Sequence, residues 1–72
     1  MSGSILSQKL VFEILRKLGG TATPKQIADL AKKMYPERTL YKYVSNRLVA
    51  LSKWGYVKRN KDGTWTIHQN YP

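Results

Sequence analysis

Thirteen lysines and arginines set against four carboxylates are the side chains of this sequence with chemistry to do, and that chemistry is binding a polyanion. The parts of other chemistries are missing. With no cysteine, disulfides and cysteine-ligated zinc or iron–sulfur sites are excluded. One histidine, His68, cannot by itself build a metal site. There are no paired carboxylates, no Cys–His or Ser–His set at useful spacing and no glycine-rich phosphate loop. Gly19-Gly20 reads as a helix stop. Neither an enzyme nor a cofactor, a metal or a small-molecule ligand is expected.

The formal net charge of +9 over 72 residues is unevenly spread. Residues 1–37 hold six basic groups against Glu13, Asp29 and Glu37, a net of +3. Residues 38–72 hold seven against Asp62 alone, a net of +6, so a partner is sought there. A domain takes on the order of 100 residues, so one domain is expected. At this size folding buries roughly 60% of the chain's surface, which leaves little room for a catalytic cleft. Apolar residues make up 42% of the chain and recur periodically, unlike a disordered basic tail. No apolar run approaches the roughly 20 residues that span a bilayer. Met1-Ser2-Gly3-Ser4 lacks the basic start of a secretory signal. The expectation is an intracellular protein, cytoplasmic or nucleoid-associated, with no membrane partner.

The elements that must position the charges can be read from periodicity. Ile5, Leu6, Leu10, Val11, Ile14, Leu15 and Leu18 predict a helix over 5–18, capped by Ser4 and stopped by Gly19-Gly20. Its apolar face is wide enough to be core or to leave a strip for a partner subunit. Thr21-Ala22-Thr23 is too short for an independent strand but can edge a later hairpin. Thr23, Pro24 and Gln26 form a capping box with proline at the first helical position. The second helix buries Ile27, Leu30, Ala31 and Met34 and ends at Tyr35-Pro36.

A third helix is predicted from near Thr39, whose hydroxyl can cap it, or from up to two residues earlier at Glu37, to about Lys53. At 100° per residue, Leu40, Leu48 and Leu51 fall within about 40° of Val44 and face the core. Lys42, Asn46, Val49 and Lys53 fall opposite. Trp54, about 80° off the core direction, seals the junction of helix and hairpin or marks an oligomer contact. After Gly55 the period changes. Tyr56–Arg59 and Thr64–Ile67 alternate as strands around the polar turn Asn60-Lys61-Asp62-Gly63, a hairpin with a basic tip. Trp65 and Ile67 share its core face with Val57. The division is a flexible 1–4, one domain over 5–67 and a frayed tail over 68–72.

Arg47-Leu48, then Leu51, then Gly55-Tyr56-Val57 resembles the end of the recognition helix and strand start of winged helix-turn-helix proteins. Thr23-Pro24-Lys25-Gln26-Ile27-Ala28 resembles the start of that family's second helix, and Asp62-Gly63-Thr64-Trp65 its returning wing strand. The resemblance covers residues 5–67. It implies an α+β, mainly α fold of three helices, a short strand and a C-terminal hairpin wing. It also implies double-stranded DNA as partner, with the third helix in the major groove and the 58–63 wing on the backbone or minor groove.

Carried onto this chain, the base-reading candidates are Thr39, Lys42, Tyr43 and Asn46. Asn46 suits adenine and Lys42 suits guanine acceptors. Phosphate contacts fall to Lys25, Arg38, Arg47, Lys53, Lys58, Arg59 and Lys61, helped by free amides and the dipole at the second helix's start. The plainer alternatives are a solvated polar face for Lys42 and Asn46 and edge charges that deter aggregation for Arg59 and Lys61. The functional expectation is a small, repressor-like transcriptional regulator, as a homodimer where high specificity is needed. The alternatives are a winged-helix protein–protein adaptor, or a nucleic-acid binder acting on RNA or in replication.

Overall fold

A computed structural model describes residues 2–71, with side chains from Ser7 onward. The order is α1 (Ser2–Lys17), β1 (Thr21–Ala22), α2 (Pro24–Met34), a 3-10 turn (Leu40–Tyr43), α3 (Val44–Lys53), β2 (Val57–Arg59) and β3 (Trp65–Ile67). The chain is thus α+β and mainly helical, with one three-stranded antiparallel sheet in the order β1-β3-β2. The short strand expected at Thr21 does edge the hairpin, with Thr21 opposite Thr66 and Ala22 opposite Trp65.

Local signals set most boundaries. Thr23 Oγ1 accepts the Gln26 N–H at 3.1 Å, and Gln26 Oε1 accepts the Thr23 N–H at 2.9 Å, so the capping box is complete. Tyr35 leaves the helical region before Pro36, as its neighbour's ring requires. Gly55, at φ +82°, ends α3 with the Tyr56 N–H on the Leu51 carbonyl at 3.0 Å. α1 begins at Ser2, so Ser4 lies inside it and is not its cap; the first turn extends three residues ahead of the apolar pattern.

The start of the third helix differs from expectation. Thr39 has ψ 18°, short of the extended backbone an N-cap needs, and its hydroxyl makes no capping bond. Its carbonyl instead accepts the Lys42 N–H at 3.0 Å, and the first turn winds as a 3-10 helix before α3 begins at Val44. The core direction survives the change, because Leu40, Val44, Leu48 and Leu51 are all buried.

Around them sit Val11, Phe12, Ile14, Leu15, Ala22, Ile27, Ala31, Val57 and Trp65. Among the described residues no polar or charged side chain is buried. From Val11 on, the apolar face of α1 is spent inside the chain; the side chains of Ile5 and Leu6 lie outside the described set. Leu30 and Met34, expected as core, are only half-buried. The tail is docked where a frayed end was expected. The His68 N–H reaches the Tyr56 carbonyl at 2.8 Å, and the Tyr71 ring packs 5.6 Å from Phe12 and 4.9 Å from Tyr56.

Candidate nucleic-acid interface

The hairpin presents three cations on a frame built by polar bonds. Val57 and Trp65 bury toward the core, so alternation turns Lys58 outward. Arg59 lies opposite Trp65 but is exposed, as is Lys61 in the turn. The turn closes through the Asn60 N–H on the Thr64 carbonyl at 2.8 Å, and Gly63 supplies the left-handed residue at φ +89°. Asn60 Nδ2 donates to the Thr64 hydroxyl at 2.9 Å and to that of Thr66 at 2.7 Å, and Thr66 meets the Thr21 hydroxyl at 3.0 Å.

The Thr64 hydroxyl in turn donates to Asp62 Oδ1 at 2.6 Å, and its N–H does so at 3.0 Å. Those bonds hold the Asp62 carboxyl below its ordinary range. The one acid of the second half is therefore engaged in shaping the turn. This polar ladder links β1 and β3 to the turn and went unread in the sequence, because β1 must first be paired to β3 before Thr21 meets Thr66.

The four expected base readers stand just before the 3-10 turn (Thr39), on it (Lys42 and Tyr43) and on the first turn of α3 (Asn46). Thr39, Lys42 and Asn46 are exposed and Tyr43 is 46% exposed. The Arg47 guanidinium lies 5.8 Å from the Tyr43 ring centroid, a cation–π pair one helical turn apart. Arg47 is only half-buried among these cations, and its Nε is enclosed with no hydrogen-bond partner. Of the seven expected phosphate ligands it is the one that the structure does not free.

Lys25, Arg38 and Lys53 are exposed. Arg38 stands 6.0 Å from the Tyr35 ring centroid. The start of α2 offers an anion less than expected. Pro24 has no N–H, the Gln26 N–H is taken by the Thr23 hydroxyl, and that of Ile27 by the Thr23 carbonyl at 3.1 Å. The same capping box that announced the helix thus consumes its amides, leaving the Lys25 amide and the dipole.

From Arg38 to Lys61 no acidic residue interrupts the seven basic ones. Among the described residues the ion pair is Arg16–Glu13 at 3.9 Å, and none of these seven takes part in one. No family model, curated protein or solved structure matches this chain. The site is therefore read from its own residues. Among the described residues no helix is long and apolar enough to cross a membrane, and no cluster of three acidic, histidine or cysteine side chains is placed to hold a metal ion.

One further feature was not legible in the sequence, and of the two alternatives for Trp54 the sealed junction is the one that fails. Lys32 of α2 stands 5.4 Å from the ring centroid of Tyr41 in the 3-10 turn, bracing the approach to α3. Trp54 seals nothing, being 71% exposed. Its offset of about 80° from the core direction was the available signal, and the turn at Gly55 carries the chain away before anything covers it.

Proposed function

We propose that this chain is a winged helix-turn-helix module that binds double-stranded DNA and serves as a small transcriptional regulator. The observation that carries the reading is the uninterrupted run of seven unpaired basic residues from Arg38 to Lys61, six of them exposed. In the free fold these like charges repel, apart from Arg38 and Arg47 lying against Tyr35 and Tyr43, and the run suits a phosphate backbone. The 3-10 turn and α3 supply a helix that a major groove about 12 Å wide admits.

In that reading Lys42 meets guanine acceptors, Asn46 pairs with adenine, and Tyr43 lies against a sugar while holding Arg47 over its ring. Lys58, Arg59 and Lys61 grip the backbone beside the groove. Lys25, Arg38 and Lys53 add phosphate contacts from the neighbouring turns. A single module buries roughly 600–1,000 Å² on DNA, so two copies on a palindrome give the higher specificity.

Mobility shift with random duplex at low salt is the first test, followed by selection of bound sequences from a random pool. A shift and a consensus containing adenine opposite Asn46 are expected. Absence of any shift would instead favour a protein–protein adaptor.

A further inference from the structure

The two tryptophans of this chain live in opposite surroundings: Trp65 is 7% exposed in the core and Trp54 is 71% exposed just past α3. Trp54 does not stand alone. With Gln8, Tyr56 and Tyr71 it lines an open groove of about 390 Å³, within the size range of small-ligand sites. The back of the groove is fixed. Tyr56 and Tyr71 meet edge to face at 4.9 Å and 61°, and Tyr71 rests on the fully buried Phe12. The tail that carries Tyr71 is tied to the Tyr56 carbonyl by the N–H groups of His68 and Gln69.

Three π systems and one amide, with no ionised group among them, suit a flat, neutral, aromatic guest with polar edges. The chain neighbours of the lining residues are mostly cationic. Lys9 follows Gln8, Lys53 precedes Trp54, Lys58 lies two residues past Tyr56, and Arg16 stands 5.7 Å from the Phe12 ring centroid. Glu13 is the acid nearby in sequence, and it is paired with Arg16. A cationic guest is disfavoured by the net charge of +9.

We propose that this groove binds an unpaired nucleobase of a single nucleic-acid strand, stacked on Trp54, with the strand's phosphates drawn to Lys53 and Lys58. Stacking platforms set among cations are how single strands are held without sequence preference. A base inside a duplex presents no free face, so the stacking platform at Trp54 is not a duplex contact, although Lys53 and Lys58 serve both surfaces.

Trp54 is the exposed fluorophore, so its emission reports the guest directly. Oligodeoxyuridine and oligouridine, which differ only in the 2′-hydroxyl, are titrated into the full chain, with a blunt-ended two-stranded DNA duplex alongside. Quenching by the single strands is expected, equal for both if the base alone is read and stronger for uridine if the 2′-hydroxyl is also read. By anisotropy of labelled strands, Trp54→Ala weakens single-strand binding on the order of tenfold, whereas Trp54→Phe, which keeps a ring, stays within roughly threefold. Duplex affinity stays within about twofold for both, because no duplex base reaches the groove. Absence of quenching, or an unchanged single-strand affinity in Trp54→Ala, overturns the proposal. So does a fall in sedimentation coefficient in Trp54→Ala, which would assign the face to self-association. Quenching by single strands with no duplex binding leaves the groove standing and removes the duplex reading; the reverse result removes the groove alone.

Discussion

The two halves of this chain handle charge differently. Up to Glu37, six basic groups share the sequence with three acids, and Arg16 pairs with Glu13. Its hydrogen bonds go into a cap, a helix stop and the edge of a sheet. From Arg38 on, seven basic groups meet one acid, and that acid is bonded to Thr64. The two halves share the buried core almost evenly, whereas the second half also leaves the outward faces of α3 and the hairpin cationic. A net charge alone points only to a polyanion; the concentration of its excess in the second half says which surfaces would meet one.

The largest expected effect breaks the joint between the halves. Leu48 of α3 is fully buried, and α3 packs on α1. Leu48→Ala should cost about 2–5 kcal/mol in urea unfolding, a large share of what so small a domain has. A cost under about 1 kcal/mol would show that the halves are not joined there.

Next comes an exchange of equal charge between the halves. Replacing Lys58, Arg59 and Lys61 with serine removes three cations from the hairpin; replacing Lys9, Lys17 and Lys33 removes three from the first half. The hairpin triple should lose about half of the salt dependence of duplex binding, since each phosphate contact contributes about 0.9 to the slope. The other triple should keep most of it. Equal losses would erase the distinction between the halves.

Asn46→Ala is a smaller and sharper probe. The side chain is exposed, so thermal stability should stay put while discrimination at one base pair falls by about 1–3 kcal/mol. Preserved discrimination would return Asn46 to a solvated face.

The smallest effect concerns the acid of the second half. Bonds from the Thr64 hydroxyl and N–H lower the Asp62 carboxyl below its ordinary 3.8. Its folded form therefore favours the charged state. The stability this adds is fully present above that ordinary value and is lost as pH falls through the lowered one. Asp62→Asn should flatten that part of the acid limb in a pH series of unfolding curves, slightly because the carboxyl is exposed. An unchanged acid limb would mean that Asp62 does not shape the turn.

What could be read from sequence was what depends on neighbours a few residues apart. Thr23-Pro24-x-Gln26 announced a cap because both its bonds span three residues. Asp62-Gly63 announced a turn, and alternation placed Val57 and Trp65 inward. The helical period also found Val44, Leu48 and Leu51. What escaped depends on partners far along the chain. Phe12 is fully buried, and one of the rings against it is Tyr71, far along the chain in the tail. The 3-10 turn escaped because i+3 and i+4 spacings both keep Leu40 inward. For the candidate site, exposure agrees with expectation at Thr39, Lys42, Tyr43, Asn46 and every expected phosphate ligand except Arg47. Residue type could not show that Arg47 packs against Tyr43.

The central claim is that the cations of the second half meet the phosphates of a duplex. The direct measurement is the affinity for a selected duplex across a salt series. With about six phosphates neutralised, log affinity should fall against log salt with a slope near −5. A slope near zero would contradict the claim.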